Sequence, residues 1–157
     1  MYKQWSVDVD IRPNEKTSNG WQSLFRLAKD NQNVLPGSRA PAVFFQSGTT
    51  KMMICSTMSG NPNSCWTHDG ELALNEWTNL RIAQSKSCGL YHFTISIGEE
   101  QVYSVVNTHP EIFFNMRVYA GDRWSFVPNA NLRNLHIDTF QDGTYDKKNF
   151  ALFNEMF

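Results

Sequence analysis

Apolar and polar residues alternate with a period of two through most of the chain. Trp5, Val7, Val9 and Ile11 are separated by Ser6, Asp8 and Asp10. Leu80 and Ile82 alternate with Arg81 and Ala83, and Tyr91, Phe93, Ile95 and Ile97 with His92, Thr94 and Ser96. Gly98-Glu99-Glu100 then turns the chain into residues 101–106. Met116, Val118 and Ala120 interleave with Arg117 and Tyr119, and Leu135 and Ile137 with His136 and Asp138. Residues 21–29 read as a strand rather than a short helix, because Phe25 and Leu27 alternate with Arg26 and Ala28. Such short runs, rich in aromatic and β-branched types, predict half-buried antiparallel strands. Turn residues punctuate them at Pro13-Asn14, Asn19-Gly20, Pro36-Gly37, Ser47-Gly48, Gly60-Asn61-Pro62-Asn63, Asp69-Gly70, Gly121-Asp122 and Asp142-Gly143. A helical stripe is confined to residues 147–157, through Phe150, Phe153 and Phe157. The expectation is an all-β antiparallel β-sandwich or jelly roll over residues 1–140. Residues 141–157 form a short apolar C-terminal tail, too apolar for water, which must pack on the domain or on a dimer partner.

Composition narrows the function. A chain of 157 residues suits one domain. Lys plus Arg number 14 and Asp plus Glu 15, so the formal net charge is −1 and the basic surface expected of a nucleic-acid binder is missing. Aromatic residues at 13% are too many for a disordered chain. The longest apolar runs, such as Ala42–Phe45, are too short for membrane insertion. Cys55, Cys65 and Cys88 contain no CxxC pair, and His68, His92, His109 and His136 are scattered, against a structural zinc site. Met1 precedes no signal-like segment, which leaves a cytosolic chain or a secreted one whose signal has been removed. Cysteines in Ser- and Asn-rich surroundings favour the secreted, oxidised alternative, with one intrachain disulfide of unassigned pairing and one leftover thiol.

An enzyme signature is absent. Asp8 and Asp10 share a strand face but have no third partner, and Glu99 and Glu100 occupy a hairpin turn. Neither a Gly-x-Ser-x-Gly elbow nor a glycine-rich phosphate loop occurs. Three connections carry chemistry instead. Residues 29–39 offer Asp30, three side-chain amides and Arg39; residues 59–65 offer Asn61 and Asn63; residues 121–129 offer Asp122, Arg123 and Trp124. Asp, Asn and carbonyl oxygens suit a hard cation such as Ca²⁺, which can hold vicinal sugar hydroxyls in its open positions. Trp offers a flat surface to the C–H face of a pyranose, while Arg and Asn donate to its hydroxyls. Each Asp and Asn is equally an ordinary turn residue, and Trp124 is equally a core residue folded back.

At these residues a family resemblance emerges. It runs through Gly37-Ser38-Arg39-Ala40-Pro41-Ala42-Val43-Phe44-Phe45, Gly60-Asn61-Pro62-Asn63, and Trp77-Thr78-Asn79-Leu80-Arg81-Ile82-Ala83-Gln84. It continues through Gly89-Leu90-Tyr91, Asn107-Thr108-His109-Pro110, Val118-Tyr119-Ala120-Gly121-Asp122-Arg123-Trp124 and Leu132-Arg133-Asn134-Leu135-His136-Ile137. Over about residues 5 to 139 the chain resembles a secreted marine-invertebrate domain labelled farnesoic acid O-methyltransferase-like, a label that does not establish that activity. The strand order is also similar to laminin G and concanavalin A-like jelly rolls. Within the group, the chain resembles the calcium-dependent, β-galactose-specific lectin type of sea anemones.

The resemblance implies a secreted, non-catalytic lectin that binds galactose-terminated glycans through a calcium ion at the loop rim. Asp30, Asn61 and Asp122 are the expected metal ligands, and Arg39, Asn63 and Trp124 the expected sugar contacts. A homodimer, joined through the leftover thiol or the apolar tail, would present two sites. A structural adhesion module that binds protein partners is the alternative from a different class.

Overall fold

The structure, a computed structural model, describes residues 1–16, 20–29 and 35–141, together with the backbone of residues 150–153. Its strands are β1 (Gln4–Pro13), β2 (Gln22–Ala28), β3 (Ala42–Phe45), β4 (Lys51–Met58), β5 (Asn61–Glu71), β6 (Thr78–Ser87), β7 (Leu90–Ile97), β8 (Glu100–Asn107), β9 (Arg117–Ala120), β10 (Ala130–Phe140) and β11 (Phe150–Phe153). They form a six-stranded sheet in the order β11-β10-β1-β6-β7-β8 and a five-stranded sheet in the order β5-β4-β3-β2-β9. All pairings between these strands are antiparallel. This is the expected all-β sandwich of jelly-roll class, and no helix of the described residues is long and apolar enough to cross a membrane.

The alternating side chains become the two inner faces. From the six-stranded sheet come Trp5, Val7, Val9, Ile11, Leu80, Ile82, Phe93, Ile95, Leu135 and Ile137; from the other come Leu24, Phe25, Leu27, Val43, Phe45, Met52 and Ile54. Each such side chain taken from water stabilises the fold by roughly 1.5–3 kcal/mol before entropy is counted. Leu24 and Phe25 both enter this core because β2 carries a bulge against β3 between Ser23 and Phe25. At one open side of the sandwich, Trp66 of β5 stacks on Tyr103 of β8 with ring centroids 5.2 Å apart. Buried Asn107 ties the same side together: its amide donates to Gln84 Oε1, while its Oδ1 accepts from the backbone of Ser59 and His109.

Several sequence expectations change. Residues 59–65 are not a long connection: a two-residue turn at Ser59 and Gly60 leads straight into β5, which holds Asn61, Asn63, Cys65, Asp69 and Gly70. β5 hides from pattern reading because it is half-exposed or exposed along its whole length, so selection for apolar residues is weak there. β3 hides for the opposite reason, being buried on both faces. In the tail, residues 150–153 do not form a helical turn but pair as β11 with β10, Leu135 opposite Phe153 and Ile137 opposite Phe150. A run of Phe-Ala-Leu-Phe can satisfy its backbone at an open sheet edge as readily as in a helix, and an edge was available. Residues 142–149 and 154–157 lie outside the described residues.

Candidate functional site: the outer face of the five-stranded sheet

Across the middle of the five-stranded sheet, the outward-facing residues line up in one row. Tyr119 of β9 stands opposite Arg26 of β2, Arg26 opposite Ala42 of β3, Ala42 opposite Cys55 of β4, and Cys55 opposite Cys65 of β5. The last pair is a disulfide, leaving Cys88 as the exposed free thiol. Phe44 lies on the same face, where Ala42, Phe44, Cys55 and Met53 form a second small apolar cluster.

Arg26 is the centre of the face. It is 1% exposed, and its guanidinium lies 4.8 Å from the Tyr119 ring centroid and 4.9 Å from that of Trp124. Trp124 itself is 41% exposed, which settles that it is not a core residue. It is held over the sheet by its loop. Gly121 donates to the Leu24 carbonyl, Ser23 to the Phe126 carbonyl and Phe126 to the Trp21 carbonyl, which pins residues 121–126 beside the start of β2. Gly121 has φ +72°, and a Cβ there would meet Val127 at 3.4 Å, so the tight departure from β9 suits glycine. The Asp122 carboxylate accepts from the Trp124 backbone at 2.9 Å, an Asx turn that orients the indole.

Arg39 reaches the face from the opposite end of the sheet. Its segment is fixed by backbone bonds on both sides, Ala40 donating to Leu27 and Thr57 to Arg39. The guanidinium lies 5.2 Å over the Phe44 ring and donates to Asn63 Oδ1 at 2.5 Å. Burial lowers the Arg39 pKa from its ordinary value; the Asp122 charge opposes this and the Arg26 charge adds to it. Asp122 and Arg26 therefore both lie within electrostatic reach of Arg39.

The three chemistry-bearing segments are thus brought together, but over a sheet face rather than around a loop rim. Arg39 and Asn63 touch, and Asp122 joins them electrostatically. Trp124 stacks on Arg26 beside them. The expected cation ligands are a different matter. Asp30 lies outside the described residues. Asn61 Oδ1 accepts from the backbone N–H of Asn63 at 2.9 Å, and the Asp122 charge acts on the Arg39 guanidinium. Among the described residues, no three His, Cys, Asp or Glu side chains group to hold a metal.

Sequence reading also missed Arg26, Tyr119 and Phe44 as members of the face. The available signal was an Arg inside the apolar run Leu24-Phe25-Arg26-Leu27. On the other sheet, Asp8 is ion-paired with Arg81 at 2.7 Å, and Asp10 accepts from Asn79, Asn134 and Arg133. Both carboxylates are thus bonded to neighbouring side chains of the sheet surface.

No family model matches the chain. No curated protein matches it in sequence. Among solved structures, it is similar to a protein from Bacteroides ovatus to which carbohydrate binding is ascribed, with a TM-score of 0.60 and 8% identity over 87% of this chain. It is also similar to a heptameric SAP-like pentraxin from Limulus polyphemus, with a TM-score of 0.52 and 11% identity over 87% of this chain. The chain spans 37% of the first protein and 64% of the second. At such identities the likeness concerns the fold: the chain is an antiparallel β-sandwich of jelly-roll class.

Proposed function

We propose that this chain is a non-catalytic carbohydrate-binding module, a lectin, and that the saccharide lies on the outer face of the five-stranded sheet. The observation that carries this reading is the Arg39–Asn63 bond on the same sheet face over which the exposed indole of Trp124 stacks on Arg26. A pyranose needs a flat apolar partner for its C–H face and fixed donors and acceptors for its hydroxyls. Trp124 supplies the first once exposed Arg123, 4.8 Å from its ring centroid, swings aside, and the bonded Arg39–Asn63 pair supplies the second. The jelly-roll likeness to a protein with ascribed carbohydrate binding supports the same reading.

Terminal galactose is the first sugar to test, because its axial hydroxyl leaves C3, C4 and C5 as a continuous apolar patch for the indole. The reading uses direct contacts from Arg39, Asn63 and Trp124, and a chelator decides whether a cation adds to them. Free galactose would bind at around millimolar, about −4 kcal/mol, so useful avidity calls for two linked copies. Cys88 and the tail supply the means to join them, and the Cys55–Cys65 disulfide accords with secretion.

Calorimetry with methyl β-galactoside, with and without a chelator, tests this. Equal binding in both, lost about tenfold or more in Trp124→Ala, is the expected result. Loss of binding in chelator would overturn the direct-contact reading, and a glycan array without hits would remove the lectin reading altogether.

A further inference from the structure

We propose that the end of the sandwich where β1 begins and β2 ends docks on an anionic lipid surface. Phe114, Ile112 and Leu35 enter the interface, and Lys3, Lys29 and Arg117 lie among the headgroups. This is a second binding activity, separate from the saccharide reading.

The argument starts from where apolar side chains meet water. Phe113 is buried, exchanges backbone hydrogen bonds with Met1, and packs so closely on Gly37 that a Cβ there would meet its ring at 2.8 Å. With Phe113 anchored inward, its neighbours Ile112 and Phe114 are turned out, and Phe114 is 73% exposed. Leu35 is exposed at the same end, because Ser38 donates back to its carbonyl and Gly37 lies against Phe113. Lys29 joins them: it borders one open hollow with Pro36, Glu111, Ile112, Phe114 and Asn115.

Charge decides what such an end can meet. Arg117 is exposed at the start of β9, opposite Ala28, and the Nζ atoms of Lys3 and Lys86 lie 6.0 and 5.4 Å from the Tyr91 ring centroid. Among the described residues, Glu111 is the acidic side chain here, since Asp138 lies on the sheet face against His136. Adding the three Asp and two Lys of residues 30–34 and 142–149, which lie outside the described residues, still leaves cations in excess. The opposite end has the reverse sign: Glu15, Asp69, Glu71, Glu76, Glu99 and Glu100 gather there, with Lys16 and Lys51 against them. It too exposes apolar side chains, Trp21, Phe126 and Val127, so apolar exposure alone does not separate the ends. The sign of the charge does. An anionic bilayer offers apolar depth and negative charge at one surface, and each Lys or Arg held near it strengthens binding about fivefold. It also yields to side chains that project singly from different loops, which a rigid protein partner must match one by one. The strand ends are used, so the outer face of the five-stranded sheet stays open.

Co-sedimentation of the full chain with vesicles tests the proposal. At about 100 mM salt, vesicles with about 30% phosphatidylserine are expected to bind about tenfold or more tighter than pure phosphatidylcholine, with most of the gap lost near 500 mM. Phe114→Ser lowers the binding about fivefold or more, and Lys29→Gln/Arg117→Gln about tenfold or more. Phe126→Ser, at the acidic end, leaves it within about twofold. Failure to bind either vesicle, equal binding to both, or a loss in Phe126→Ser matching that in Phe114→Ser would overturn the proposal. Binding to polyglutamate with none to vesicles would also overturn it and assign the cations to an acidic protein. The vesicles carry no saccharide, so each of these outcomes leaves the lectin reading as it stands.

Discussion

Arg26 occupies a position that a strand pattern assigns to a solvated face, yet it is almost fully covered. Tyr119 and Trp124 cover it with their rings, so its charge is stabilised where water is excluded. Arg26→Ala removes the floor under both rings and is expected to cost about 2–4 kcal/mol, read as a lower urea midpoint; a change below about 0.5 kcal/mol would show that the rings stand without it. Asp10 makes a pH-dependent contribution. Burial pushes its carboxyl up, but hydrogen bonds from Asn79, Asn134 and Arg133, with the Arg133 charge, outweigh this and hold it below its ordinary value. A carboxyl lowered by folding stabilises the fold above its unfolded value, and that stabilisation disappears as pH falls through the folded value. Asp10→Asn is therefore expected to be less stable than the parent by about 1 kcal/mol near pH 7. Thermal melts across pH should show the two converge in strong acid. A gap that persists there would assign the effect to packing.

At the scale of elements, β5 is the weakest partner of its sheet. It buries little apolar surface, and its Asn61, Asn63, Cys65 and Thr67 face outward in series. What holds it is the ladder to β4 and the cross-link at directly opposed positions Cys55 and Cys65. The bridge closes a short loop, with a sequence separation of 10, for which chain entropy predicts about 2–3 kcal/mol. A Cys55→Ala/Cys65→Ala double variant should lose about that much in denaturant unfolding. Because Asn63 is two residues from Cys65, the same variant should also weaken saccharide binding severalfold. Unchanged affinity would show that the ladder alone positions Asn63. β3 gives the contrasting case: its outer residues Ala42 and Phe44 are apolar because Arg39 lies over Phe44, so both faces are dry.

At the scale of the whole molecule, the two sheets divide the labour. The six-stranded sheet carries matched charges on its outer face, whereas the five-stranded sheet carries the aromatic and cationic face. Cys88, in the turn between β6 and β7, belongs to the first of these, so a disulfide between two copies there leaves the outer face of each five-stranded sheet open. Sedimentation under oxidising conditions should give a dimer that returns to 18.1 kDa in Cys88→Ser; a dimer that survives in that variant would place the contact in the tail instead. The sequence by itself determined the fold class. β1, β6, β7 and β10 bury one face each, and a two-residue period is the direct imprint of that one-sided burial. It also put Arg39, Asn63, Asp122 and Trp124 among the residues with chemistry to offer. Only the tertiary structure decided that β3 and β5 are strands, since burial on both faces or on neither leaves no period to read. Only it brought Arg26 under Trp124 and Arg39 against Asn63, because strand register and loop folding join positions far apart in the chain, and local pattern carries no record of that pairing.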